Sequence, residues 1–503
     1  MSHPAAEPIV PSSTPENDYT TVSATERLRL SKPERTLLWN QMVDFVESYL
    51  EEVHTGPVSP GLDPEALESF LKSFTFETAL PATSTFGQMA AALRDHQVHT
   101  PHPQYFGLFN PAPAVMGIVA DTLVATLNPQ LAGWSHSPLA SSIEIKLIRD
   151  FAGKFGLDPD RSDGTFTTGG AEANQTAILC ALSHRWRQFL TDGVQALPNA
   201  PTIYVSSEAH HSFLKSARAS GLGSDAIRYV PVGDDLRMDV VALQDMLAND
   251  RALGRTPFLI VGTAGATGSG VVDPLPSLAT IAREEDLWFH VDAAWGGGAM
   301  MVPELRPALA GVEEGDSITF DPHKWMSVPM GAGMFLTKHP HILGQTFGLR
   351  TSYMPKEGAH LNTVDPYTHS MQWSRRHIGL KLFLTLAVTG WDGYREVIGH
   401  QAKMGRLLKQ RLTAEGWKIV NDTPLPVVCF TEADGDRDVS YYQRIANAVI
   451  ESGNAWISTV VLNGQTPALR ACITNYRTDK THIEALIAAL HKAKRLMSSD
   501  GDR

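Results

Sequence analysis

Cysteine is scarce: Cys180, Cys429 and Cys472 are the only three in 503 residues. Their wide separation excludes a disulfide-stapled scaffold and a cysteine-built zinc site. Positive charge is also in deficit. Forty-two basic residues stand against fifty-four acidic ones, a formal net charge of −12. With no basic run, the chain lacks the electrostatic footprint of a protein that binds nucleic acid or anionic lipid. No apolar stretch is long enough to span a bilayer, so no membrane partner is expected. Met1–Asn17 lacks the apolar centre of a signal peptide and is rich in Pro, Ser and Glu. No pair among the histidines has His-Glu-x-x-His spacing, which disfavours a metal-dependent hydrolase, and no metal site is expected. These absences together predict a reduced, soluble, cytoplasmic protein.

What is present is an ordinary globular balance, 43% hydrophobic and 19% charged. The length calls for two or three packed domains. Residues 1–25 read as a disordered leader, because Pro, Ser, Thr and Glu dominate. Residues 26–100 read as a helical arm with little core of its own, one helix running on from Glu34 and another over Pro64–Phe74. Such an arm is expected to pack on something else, a second subunit included. From about residue 115, short apolar runs of strand length alternate with helical segments. The runs are Pro201–Ser206, Pro257–Gly262, Leu287–Val291, Ser317–Phe320 and Gly333–Thr337, and Glu172–Leu190 is a strong helix. That alternation predicts an α/β domain over 101–390 with a mostly parallel sheet. Residues 391–503 read as a smaller α+β domain: a long helix Tyr394–Glu415, strands near Val427–Thr431 and Ala468–Thr474, and a closing helix Lys480–Met497.

Five segments carry chemistry. Lys324 follows a strand in Asp321-Pro322-His323-Lys324-Trp325, where open α/β sheets bind ligands, and a desolvated lysine there can form a Schiff base. Asp292 ends the strand of His290-Val291-Asp292-Ala293-Ala294-Trp295-Gly296-Gly297-Gly298. A carboxylate in that position needs a cationic partner such as a protonated pyridine nitrogen, and the small Ala293 and Ala294 let a flat ring lie close. Thr167-Thr168-Gly169-Gly170-Ala171-Glu172 is a small-residue turn into a helix, suited to a phosphate. Ser207-Glu208-Ala209-His210-His211 puts an imidazole at the sheet edge, able to stack on a ring. Asp365–Arg376 closes a polar loop of lid length, in which Tyr367 can deliver a proton. Each segment alone has a bland explanation: a surface lysine, an N-cap aspartate, a glycine turn, a structural histidine, an ordinary tyrosine. Their co-occurrence along one α/β segment supplies the parts of a single cofactor, pyridoxal phosphate.

With these motifs the sequence resembles the pyridoxal-phosphate-dependent group II amino-acid decarboxylases, which act on aromatic amino acids, glutamate, cysteine sulfinate or diaminobutyrate. The resemblance runs from about His102 to Arg477, and Asp-Pro-His-Lys-Trp is its most specific motif. It implies the type I aminotransferase-like fold and a homodimer with shared active sites. Lys324 would be the Schiff-base lysine and Asp292 the partner of the pyridine nitrogen. Ala294 and His210 would lie on the two ring faces. Gly170, Ala171 and His323 would hold the phosphate, and Thr267 would contact the ring oxygen or the substrate. Tyr367 would be the lid tyrosine. Phe109 and Asn110 would face the partner's pocket, and Arg470 would lie near the substrate. The sequence departs from the family at Asp321, where several members have Asn, and in Asn128–Ser137. Trp-Gly-Gly-Gly resembles glutamate and cysteine-sulfinate decarboxylases, while the layout fits the aromatic group equally. The implied reaction is α-decarboxylation of an aromatic or acidic L-amino acid. An aldehyde synthase, a transaminase, a carbon–carbon lyase and a non-catalytic homologue are the alternatives.

Overall fold

Strand-length apolar runs and amphipathic helices take up the alternation the sequence predicts, and the sheet order decides where the motifs meet. The computed structural model describes residues 23–349, 363–433 and 437–500, with side chains as far as Met497. Most of the predicted leader, positions 1–22, lies outside the described residues. The chain divides into two compact units, Met1–His99 and Thr100–Arg503.

The first unit is helical. Ala24–Arg29 and Lys32–Glu52 each start at a serine that forms a capping box with a glutamate three residues on, Ser23 with Glu26 and Ser31 with Glu34. Helices Pro64–Lys72 and Ala82–Asp95 follow. None of the residues of Lys32–Glu52 is buried.

The second unit contains a seven-stranded sheet. Its strands are β1 (Asp163–Thr167), β2 (Pro201–Ser206), β3 (Ile227–Val230), β4 (Thr256–Thr263), β5 (Trp288–Asp292), β6 (Ser317–Phe320) and β7 (Gly333–Thr337). The spatial order is β1-β7-β6-β5-β4-β2-β3. Neighbours from β6 to β3 pair in parallel, and β7 runs antiparallel to both β6 and β1. Six strands therefore point the same way, and the loops after β1, β2, β4, β5 and β6 all open at one edge. Ligands bind at that edge in sheets of this kind. The strands are buried on both faces, which is why they read as near-continuous apolar runs.

The remaining strands form a small antiparallel sheet. They are β8 (Trp417–Ile419), β9 (Val427–Glu432), β10 (Ser458–Leu462) and β11 (Thr466–Cys472), in the order β10-β11-β9-β8. Where the sequence suggested a single strand near 468–474, the structure has a hairpin. It closes through Asn463 and Gly464, both at positive φ, the pairing that matches the twist of two-residue hairpins. The helix expected over 172–190 spans Gly170–Arg185 and stops because Trp186 adopts an extended conformation. Helix Gly379–Ala414 is broken at Gly390 (φ 68°). It supplies Leu382, Tyr394, Ile398 and Ala402 to the core under the large sheet, and Met404, Leu408 and Leu412 to the core under the small one.

Candidate active site

Asp292 is the last residue of β5 and is 6% exposed. Its Oδ1 accepts from the Ala294 backbone N–H at 3.1 Å, and its Oδ2 from Asn174 Nδ2 at 2.9 Å. The carboxylate is thus buried at the sheet edge with donors on both oxygens. Ala294, next along, is also buried. Asp321 begins the loop after β6, and Lys324 follows three residues on. Lys324 Nζ lies 2.9 Å from Asp321 Oδ2, with its side chain 24% exposed. The same oxygen accepts the Gly170 N–H at 3.0 Å. The Lys324 ammonium and the first N–H of helix Gly170–Arg185 therefore converge on one buried carboxylate, and Asp321 Oδ1 has no partner among the described residues.

His323 is buried, with Nδ1 2.7 Å from the Ala332 carbonyl and Nε2 3.8 Å from Asp321 Oδ2. Burial pulls its pKa below the ordinary value, against the opposing charge of Asp321. His210 follows β2 and takes the Ser212 N–H on its Nδ1 at 3.2 Å. Its pKa is lowered as well, chiefly by withdrawal of its inner side from water, with the Asp292 charge pulling the other way.

An aromatic wall stands beside them. The rings of Phe109, Trp295 and Trp325 stack in series, with centroids 4.6 and 5.0 Å apart. Lys324 Nζ lies 6.0 Å from the Phe109 ring of its own chain, and the Arg470 guanidinium lies 5.0 Å from it. Arg470 is buried. Its Nε donates to the carbonyls of Thr267 and Gly268 and its Nη1 to that of Gly107, while Nη2 has no partner among the described residues. The structure therefore gathers Lys324, Asp292, Ala294, His210, Gly170, His323, Phe109, Thr267 and Arg470 around one sheet edge. Ala171 follows Gly170 in the same turn, and Asn110 follows Phe109.

Tyr367 has other partners. It is buried, its ring packs 4.7 Å from Trp373, and its hydroxyl donates to the Leu349 carbonyl at 3.0 Å. Its stem is laced to Asn128–Ser137: Tyr367 N to Ala132 O, Trp134 N to Asp365 Oδ1 and Leu131 N to Arg375 O. Residues 350–362 of the expected lid lie outside the described residues. Asn174, two residues past the glycine turn, has no role assigned from the sequence. A polar residue one helical turn beyond the turn, on the buried face, was the signal.

These groups fit pyridoxal phosphate. A Cβ added at Gly170 would lie 2.9 Å from Asp321 Oδ2 and 3.2 Å from Ala294 Cβ, so glycine keeps open a cradle at a helix N-terminus. The donor set adds an amine, an imidazole and a buried carboxylate, as an aldehyde-bearing pyridinium phosphate requires.

Comparison with known proteins agrees. A family model described as the pyridoxal-dependent decarboxylase conserved domain matches residues 64–432. The chain is 27% identical to an aromatic-L-amino-acid decarboxylase of Bacillus atrophaeus, over 94% of this chain and 97% of that one. It is also 27% identical to tryptophan decarboxylase 2 of Oryza sativa subsp. japonica, over 89% and 91%. Among solved structures, Oryza sativa TDC with PLP and tryptamine shares the fold, with a TM-score of 0.85 over 97% of this chain and 100% of that one at 23% identity. The family model alone spans more than half the sequence, and the chain therefore belongs to the pyridoxal-dependent decarboxylases, enzymes that use pyridoxal phosphate to remove CO2 from an amino acid.

Proposed function

We propose that the substrate is an aromatic L-amino acid, released as the corresponding amine. The observation that carries this reading is the Phe109 ring, 6.0 Å from Lys324 Nζ and 5.0 Å from the Arg470 guanidinium, with Trp295 and Trp325 buried behind it. Aromatic faces favour an aromatic side chain by offset stacking. The relatives named for aromatic substrates cover nearly the whole chain, which supports the same reading.

Bound here, pyridoxal phosphate supplies the electron sink for loss of CO2. Lys324 would present the amine that holds the cofactor's carbonyl carbon. The turn at Gly170 and Ala171 would hold the phosphate, with His323 beside it and the Gly170 N–H itself taken by Asp321. Asp292 sets its negative charge against the ring nitrogen and keeps it protonated. Ala294 and His210 confine the ring from its two faces, and Thr267 lines the pocket. Arg470, whose Nη2 has no partner among the described residues, would orient the substrate carboxylate. A loop tyrosine returns the proton to the substrate carbon. Tyr367 is the candidate from the sequence, but its hydroxyl is engaged by Leu349. Tyr353, the other phenol of that loop, lies outside the described residues.

The enzyme acts as a homodimer in this reading. Leu37, Trp39 and Val43 of helix Lys32–Glu52 are each more than half exposed, as apolar residues awaiting a second copy would be. Three free, buried cysteines support a reducing compartment, the cytoplasm. No helix among the described residues is long and apolar enough to cross a membrane.

The test is mass spectrometry of products from cofactor-loaded protein given a mixture of L-amino acids, including dihydroxyphenylalanine, cysteine sulfinate and aspartate. An aromatic amine supports the proposal, and an amine from an acidic substrate overturns it. Parallel Tyr367→Phe and Tyr353→Phe variants then identify the proton donor as the one whose loss diverts product from amine to aldehyde.

A further inference from the structure

Behind Asp292 a buried set of hydrogen bonds converges on Asn174. This residue is 1% exposed, in helix Gly170–Arg185, one turn beyond the phosphate cradle. Its Nδ2 lies 2.9 Å from Asp292 Oδ2 and 3.0 Å from Ser212 Oγ. Its Oδ1 lies 2.7 Å from Thr319 Oγ1 and 3.0 Å from His290 Nε2. An ionised carboxylate only accepts, so the amide nitrogen must face it. The amide oxygen then accepts the Thr319 hydroxyl, and we assign an Nε2–H on His290 as its second donor, with Thr319 Oγ1 3.2 Å from that nitrogen.

The rest of the chain follows. With its proton on Nε2, neutral His290 has a lone pair on Nδ1, 2.8 Å from Ser317 Oγ. Ser317 donates there and accepts the indole N–H of Trp288 at 2.9 Å. Burial pushes His290 down to about 4, so the neutral form holds at physiological pH. Four bonds therefore point one way, from Trp288 through Ser317, His290 and Asn174 to Asp292. Aligned in a buried setting, each polarises the next. Ser212, held by the same amide nitrogen, gives its backbone N–H to His210.

We propose that Asn174 is a positioning residue for the cofactor's pyridine nitrogen: its amide N–H fixes the rotamer of Asp292 and stabilises that carboxylate's charge, while His290 and Thr319 fix which end of the amide faces it. The proposal rests on the reading of Asp292 as the ring-nitrogen partner. One helix then sets both ends of the cofactor, the phosphate at Gly170 and the ring nitrogen through Asn174.

The test titrates cofactor-free, full-length protein with pyridoxal phosphate and, separately, with its analogue carrying carbon in place of the ring nitrogen, reading tryptophan fluorescence. Asn174→Ala is expected to weaken pyridoxal phosphate about tenfold or more, the scale on which outer partners of a binding group act. It should leave the analogue within about twofold, because the analogue has no nitrogen for Asp292 to hold. Equal losses on both ligands, or no loss on either, would overturn the proposal, since a packing role does not distinguish them. His290→Phe should show the same selectivity to a smaller degree, and decides the matter if Asn174→Ala does not fold; an unselective result there refutes the relay. Asp292→Ala separates the two readings. If it fails to discriminate between the ligands, both readings fall. If it discriminates and Asn174→Ala does not, the role of Asn174 alone falls.

Discussion

Glu144 is 4% exposed in helix Pro138–Lys154 and accepts four hydrogen bonds. Two come from Arg375, Nη1 at 3.1 Å and Nη2 at 2.5 Å, and two from the backbone N–H groups of Ile378 and Gly379 at 3.2 and 3.0 Å. They clamp the segment that follows Tyr367. Glu144→Ala would leave the Arg375 guanidinium buried without its counter-charge, and Arg375 Nε already has no partner among the described residues. Truncating one member of a buried pair costs about 3–5 kcal/mol, because the other charge stays desolvated. The second unit has about 400 residues, so its unfolding entropy near Tm is about 0.8 kcal/mol per kelvin. The expected fall in Tm is therefore about 5 °C. A double variant, Glu144→Leu with Arg375→Met, removes both charges and should recover part of that loss, leaving the cost of the two orphaned backbone N–H groups. The assay is thermal and urea denaturation of the cofactor-loaded full chain. A Glu144→Ala variant within a degree of wild type, or a double variant that loses the sum of its singles, would refute the reasoning.

Three further outcomes are expected. Lys324→Ala should abolish turnover and the visible absorbance of the lysine-bound cofactor while circular dichroism stays unchanged; measurable decarboxylation by this variant would contradict its role. Gly170→Ala should weaken cofactor binding at least about tenfold and also lower the stability of the cofactor-free protein, because its Cβ would lie 2.9 Å from buried Asp321 Oδ2 and 3.2 Å from Ala294 Cβ; unchanged cofactor affinity would show that the cradle is elsewhere. His290, at about 4 in the folded protein against its ordinary 6.5, takes up a proton in the unfolded chain before the folded one. Stability should then fall as pH drops from about 6.5 to about 4, by about 3 kcal/mol for this group. His290→Phe should flatten that part of the slope in denaturation series, and an identical slope would refute the assignment.

The sheet edge was legible because its residues sit at fixed offsets from strand ends. Asp292 closes β5, Lys324 follows β6, His210 follows β2, and local sequence announces each junction. The apolar strands β4 to β7 were legible for the same reason, being buried on both faces. β1, Asp-Gly-Thr-Phe-Thr, carries only one large apolar residue, and β10 was missed although the Asn463-Gly464 that follows it is a strong hairpin signal. The partners of Asn174 come from β5, β6 and the helix after β2, so no window of sequence contains them. Tyr367 shows the converse limit. Its position in a lid-length loop suggested a proton donor, whereas the acceptor that occupies its hydroxyl, Leu349, lies at the far end of that loop.

The broken helix Gly379–Ala414 bears on how the enzyme comes apart. Ala402 belongs to one core and Met404 to the next. Gln401, just before them and fully buried, accepts from the indole of Trp325 beside Lys324 and donates to the Thr474 carbonyl. Neither sheet can lose this helix and keep its own core closed. Cooperativity is therefore shared: residues 100–503 should melt in one transition, and a fragment starting after Gly390 would carry away a wall that the large sheet needs. The lysine's neighbour is tied by one amide to the segment that leaves the small sheet's final strand, so the small sheet and the lysine loop share a buried hydrogen-bonded link.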